Sequence, residues 1–173
     1  MSNNKYKYTL NLNDYLTQPF EMVVLKHIKG SVPFKYSKND NTISFTEETA
    51  EFIKDFRSAN DGSIKECIWC EDNVNFYNKH QKMLVEAMEF EAEQIMERGQ
   101  EDVLHFVKSF NDFQDDEDIT FKEIAKCVYT NKRKDEPGDI SWSIKNLITI
   151  WAVERVMWNL QNALSEIEYE NKK

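Results

Sequence analysis

Glycine and proline are scarce, four and three among 173 residues. That scarcity excludes collagen-like and linker-like chains and leaves little material for a β-rich fold of many tight turns, so helix is expected to dominate. Cysteine is scarce too. Cys67, Cys70 and Cys127 form an odd set with no export signal before them, so reduced thiols are expected rather than a disulfide framework. No apolar run approaches the roughly 18 residues of a membrane span. The opening MSNNKYKYTLNLNDY has neither the apolar stretch nor the cleavage site of a secretion signal. These absences lead to the expectation of a cytoplasmic chain without membrane association. What is present, 40% hydrophobic and 31% charged residues, is the composition of one water-soluble globular domain, long enough to bury a core without metal or disulfide. Abundant Asn, Lys and Ile suit an AT-rich genome, such as that of a low-GC bacterium or its phages.

The net charge of −9 is concentrated in one stretch. Between Glu86 and Asp118 stand twelve acids, Glu91 and Asp102 among them, against two bases, Arg98 and Lys108. The other 19 acids face 20 bases, so the rest of the chain is close to neutral. The acidic third should repel nucleic acid and attract basic surfaces.

Periodicity predicts an α+β fold, mostly helical: a small N-terminal β element of three to four short strands with two helices, packed on a C-terminal bundle of about four helices. One domain spans 1–173, with a mixed α/β part over 1–70 and a helical part over 71–173. Tyr6 to Leu12 alternates like a half-buried strand. A helix starts at Pro19, with Phe20, Val23, Val24 and Ile28 on one face and Lys26, His27 and Lys29 before Gly30 at its end. Pro33–Tyr36 and Thr42–Phe45, joined by the turn-rich SKNDN, read as a hairpin. Thr46 caps a helix with Glu47, Glu48 and Glu51 early and Phe52, Ile53, Phe56 and Ala59 as its apolar stripe. A short strand follows at Ile64 to Trp69. Helices are predicted from Asn73 to Arg98 (Tyr77, Leu84, Met88 and Ile95 on one face), Glu101 to Phe110, Thr120 to Tyr129 and Ser141 to Glu168. The last carries Ile144, Leu147, Ile148, Trp151, Met157, Trp158, Leu160, Leu164 and Ile167 on a broad apolar face, which suits a bundle centre or a homodimer seam.

Four constellations bear on chemistry. Cys67 and Cys70 have the C-x-x-C spacing that lets two thiolates hold one zinc, with His80 as third ligand and Cys127 or His105 as fourth. Two small apolar side chains ending a buried strand explain the same cysteines. Asp112, Asp116, Ile119 and Glu123 match four positions of a calcium loop, but Gln114 and Glu117 break it, and Thr120 and Glu123 form a capping box that accounts for the acids nearby. Glu86-Ala-Met-Glu89 followed by Asp112-Phe-Gln-Asp115 is similar to the paired helical carboxylates that hold magnesium in all-α nucleotide pyrophosphohydrolases. That similarity implies a metal-dependent enzyme, although Asp112 replaces a Glu and no basic set for a triphosphate follows. The basic cluster Lys132-Arg133-Lys134 is cancelled by Asp135 and Glu136, so direct nucleic-acid binding is not expected.

The leading expectation is a small acidic binding protein without catalytic residues, cofactor or favoured metal. Its partner-binding face comprises Glu86, Glu89, Glu93, Glu97, Glu101, Asp112, Asp115, Asp116, Glu117 and Asp118, and its partner is a basic protein surface. Clustered carboxylates imitate the phosphate charges that a nucleic-acid-binding protein recognises, which suggests an inhibitor or regulator carried by a phage or mobile element. The alternatives are the pyrophosphohydrolase-like enzyme and an oligomeric structural or assembly protein, a homodimer joined through the last helix.

Overall fold

The computed structural model describes residues 5–56, 71–97 and 140–173. Among them the chain is mostly helical with one small sheet, the α+β class expected. The elements are β1 (Tyr8–Asn11), α1 (Leu12–Tyr15), α2 (Pro19–His27) with a 3₁₀ turn over Ile28–Gly30, β2 (Lys35–Ser37), β3 (Thr42–Phe45), α3 (Glu47–Asp55), α4 (Glu71–Glu97) and α5 (Ile140–Asn171). The expected strand at 64–69 and the helices at 101–110 and 120–129 lie outside the described residues.

The sheet is antiparallel in the order β1-β3-β2. Alternation along β3 turns Ile43 and Phe45 inward, and the register sets Leu10 opposite Ile43, so a single buried apolar face forms across the two strands. On the other face Thr9 and Ser44 share a hydroxyl hydrogen bond of 2.9 Å. The β2–β3 turn uses Asn41 at φ 49°, a left-handed conformation that Asn tolerates better than most residues. Asn41 is also tied to the start of α1. Its carbonyl accepts from the Leu12 amide at 3.0 Å, and its side-chain amide donates to Asn13 Oδ1 at 2.7 Å.

Two compact units divide the chain. One comprises Met1–Asn73 with Thr149–Lys173, the other Val74–Ile148. The second half of α5 therefore folds with the N-terminal elements, and α5 is not wholly part of a separate helical portion.

Within the first unit that half of α5 supplies a broad buried surface, Trp151 to Leu164, as its sequence pattern requires. Trp151 stacks on Phe20 of α2, ring centroids 5.6 Å apart. Polar residues on the same helix serve the ends of its neighbours. Glu21 is buried at the start of α2, where its carboxylate accepts from the Gln18 amide at 3.0 Å and from Asn159 Nδ2 at 2.7 Å. This placement satisfies a buried charge by a helix N-terminus and an amide donor. At the other pole, Gln161 Nε2 donates to the carbonyls of Ile53 and Phe56, 2.9 and 2.6 Å away; the Ile53 carbonyl also accepts from the Phe56 amide at 3.2 Å. Thr46 caps α3 as predicted, its hydroxyl accepting from the Thr49 amide at 3.2 Å.

The buried stripes of α2 and α5 differ from the periodic pattern at single positions. Phe20, Val24 and Ile28 are buried in α2, yet Leu25 is buried and Val23 only partly so. Trp158, placed by the pattern on the broad apolar face of α5, is 44% exposed, whereas Trp151 and Met157 are buried.

In the second unit Val74, Phe76, Tyr77, Leu84 and Met88 are the buried positions of α4, and Lys145, Asn146 and Ile148 those of α5. Tyr77, Leu84 and Met88 were the expected face.

Replacing Gln161 by Leu is expected to lower stability by about 1–3 kcal/mol, because the Phe56 carbonyl loses the amide that donates to it and Ile53 keeps only the Phe56 amide. Urea unfolding should show a lower midpoint at unchanged slope. An unchanged midpoint would exclude the capping role.

Candidate functional site

Of the ten acidic residues proposed for a partner-binding face, Glu86, Glu89, Glu93 and Glu97 lie on α4. Glu101, Asp112, Asp115, Asp116, Glu117 and Asp118 lie outside the described residues. The four on α4 follow each other at steps of three, four and four residues, the spacing of neighbours along one side of a helix. Glu86 is exposed and forms an i,i+4 pair with Lys82, Nζ to Oε1 3.8 Å. Such a pair is worth only about 0.3–0.5 kcal/mol and leaves both charges in water. Glu89 is half-buried, and Phe90 beside it is 50% exposed.

α4 opens on Glu71 and Asp72, acids where the dipole favours them, and carries further acids along its length. α3 follows the usual arrangement, with Glu47 and Glu48 in its first turn and Lys54 in its last. The described part of α4 runs to Glu97, and the base Arg98 follows it in the sequence.

The metal constellations are only partly visible. Cys67, Cys70, Cys127 and His105 lie outside the described residues, as do the calcium-loop acids and the second carboxylate pair of the pyrophosphohydrolase-like arrangement. His80 is on α4, half-buried, its ring 4.8 Å from that of Phe76 in a tilted contact. Among the described residues no group of three or more His, Cys, Asp or Glu side chains could hold a metal ion, and no helix is long and apolar enough to cross a membrane.

Sequence reasoning missed a polar network in the first unit. His27 Nε2 donates to Asn73 Oδ1 at 2.8 Å, and the Thr149 hydroxyl donates to the Asn73 carbonyl at 3.3 Å. Asn73 is wholly buried, and its Nδ2 has no hydrogen-bond partner among the described residues. Nothing in the local pattern marks Asn73, because its burial is set by elements distant in sequence. Two further ties reach α5 from the N-terminal elements. The Tyr15 hydroxyl donates to Glu166 Oε2 at 2.7 Å, and that bond to a carboxylate pushes the phenol up from 10.0 to about 12. Lys54 meets Glu168 at 2.7 Å, which raises the ammonium and holds the Glu168 carboxyl below its usual range. These are surface links between elements, with no reaction that they would serve.

No protein-family model matches the chain, and no curated protein or solved structure is similar enough to match it.

The Tyr15 tie is sensitive to high pH, and the Lys54–Glu168 pair to high pH through Lys54 and to low pH through Glu168. Folding favours protonated Tyr15, so its contribution is complete below pH 10.0 and is lost as pH rises from there through about 12. Folding favours ionised Glu168, so that contribution is present above its ordinary value of 4.5 and fades as pH falls through the lowered value. Tyr15→Phe should flatten the alkaline limb of the stability–pH curve and Glu168→Gln the acid limb. Limbs that match those of the parent would remove these bonds from the account.

Proposed function

We propose that the protein is a small non-enzymatic binding protein that docks the acidic side of α4 on a basic protein surface. The observation that carries this reading is the run Glu86, Glu89, Glu93, Glu97 at helical spacing along one 27-residue helix. Carboxylates in such a row suit an external positive partner, whose charge sets encounter and orientation. The sequence continues the same sign through Glu101 and Asp112 to Asp118, so the complementary surface is an extended one. Phe90 offers an apolar contact within the charged run, of the kind that anchors an interface whose charges set encounter and orientation.

An extended basic protein surface is most often one that binds phosphates. The preferred partner is therefore a nucleic-acid-binding protein whose site the carboxylates occupy in place of the polyanion. The role is that of a cytoplasmic inhibitor or regulator, of the type a phage or mobile element carries. The chain itself, with net charge −9, is not expected to bind nucleic acid.

The test uses the heparin-binding fraction of a bacterial lysate, which is enriched in such proteins. The wild-type chain should retain specific proteins at low ionic strength and release them as salt rises past about 0.5 M, where screening acts within a few ångströms. The variant Glu86→Gln/Glu89→Gln/Glu93→Gln/Glu97→Gln should retain them at least about tenfold less well, a loss of roughly 1.4 kcal/mol that four weakened charge contacts readily exceed. Equal retention by the variant would defeat the proposal. Magnesium-dependent release of pyrophosphate from nucleoside triphosphates would instead favour the enzymatic alternative.

A further inference from the structure

The strand order β1-β3-β2 leaves β2 at an edge of the sheet, and among the described residues no strand lies beyond it. One backbone contact fixes which way the groups of that edge point. The Leu12 amide donates to the Asn41 carbonyl at 3.0 Å, so these two, which continue the β1–β3 register by two steps from Leu10 and Ile43, form a hydrogen-bonded pair. Bonded and non-bonded pairs alternate along an antiparallel ladder. Leu10 and Ile43 are therefore a bonded pair as well, and Ile43 turns its N–H and C=O towards β1. Thr42 and Ser44 turn theirs the other way, to Ser37 and Lys35 of β2. Tyr36, opposite Ile43, is left with its N–H and C=O directed away from the sheet. Its side chain is 43% exposed.

Three exposed bases surround this edge. Lys35 stands on the outer side of the sheet, in one row with Thr9 and Ser44, its Nζ 5.8 Å from the Tyr6 ring. Lys29 Nζ lies 5.0 Å from the ring of Phe34, the residue before β2. Lys38 follows the strand directly. None of the three forms an ion pair among the described residues, and the acid next in sequence, Asp40, accepts from the Ser37 hydroxyl at 2.8 Å.

We propose that the β2 edge takes up an extended acidic segment of a partner protein as a fourth strand. Outward N–H and C=O on one residue match the backbone of a peptide strand, whereas a nucleic acid has no such ladder to offer. Charge complementarity selects the acidic peptide, because the three ammoniums attract carboxylates carried beside the paired backbone. A second copy is disfavoured at this place. Pairing two β2 edges would set the lysines of one against those of the other, the like-charge guard by which edge strands resist self-association, and that guard does not repel carboxylates. The edge has the opposite sign to α4, and its role does not depend on what α4 binds. With only three residues in β2, backbone bonds are few and charge supplies much of the attraction, so binding weakens as salt rises.

The test is an NMR titration of the isotope-labelled full chain, at low ionic strength, with a synthetic peptide of Asp, Glu, Thr and Val about ten residues long. The Tyr36 amide should shift and gain protection from hydrogen exchange as peptide is added. N-methylation of the peptide at alternate residues should weaken binding about tenfold in one of its two phases, since it removes the pairing donors and keeps every charge. Lys29→Gln/Lys35→Gln/Lys38→Gln should also weaken it about tenfold, and Lys82→Gln on α4 should leave it unchanged. All four lysines are exposed, so circular dichroism of these variants should match the parent. No shift at Tyr36 up to about 1 mM peptide, the weak limit of measurable affinity, overturns the proposal. So does equal binding by the peptides methylated in either phase, or by the triple variant. Equal shifts with a single-stranded oligonucleotide of matching charge overturn it too, since charge alone would then account for the contact.

Discussion

The first unit depends on one helix meeting the needs of several others at once. α2 and α3 each end in backbone groups that a helix cannot satisfy by itself, and a buried Glu21 adds a charge to the problem. α5 answers with two side chains about two to three turns beyond its stacked Trp151–Phe20 contact: Asn159 for Glu21, Gln161 for the α3 carbonyls. Because these donors are fixed on the same rigid element, satisfying one helix end sets the position available to the other. The apolar burial from Trp151 to Leu164 provides the driving force, and the amides select among the ways in which that surface could be covered.

Much of this was legible in local pattern, for reasons that differ by element. Thr46 with Glu47 and Glu48 announces α3, because capping and dipole terms act within one turn. Pro19 opens α2 and the SKNDN turn lies between β2 and β3. Pairing between β1 and β3 could not be read, since the alternation of Tyr8 to Asn11 says that a strand has two faces but not which strand lies beside it. Trp158 shows the limit of periodicity in a helix with apolar residues on several sides. Its neighbour Met157 is buried and it is not, and hydrophobicity alone does not choose between adjacent positions.

The candidate surface was legible in a different sense. Composition located the acidic stretch, and helical spacing put four of its carboxylates in sequence along α4, whose extent to Glu97 agrees with the helix expected over 73–98. The Asn73 network had no local sign at all. An Asn early in a helix is ordinary, and only the approach of His27 and Thr149 makes this one a buried junction.

The composition of the first unit has a consequence for how the protein is made. Its N-terminal elements leave the ribosome early, but Thr149–Lys173 follow only after the whole of Val74–Ile148 has been translated. At about 5–20 residues per second that interval lasts on the order of several seconds. Until it ends, Phe20 of α2 lacks its stacking partner Trp151, and Glu21 and the carbonyls at the end of α3 lack the amides of Asn159 and Gln161. The nascent chain therefore passes through a period in which a chaperone, or a premature encounter between neighbouring polysomal chains, competes with its own final segment for those groups.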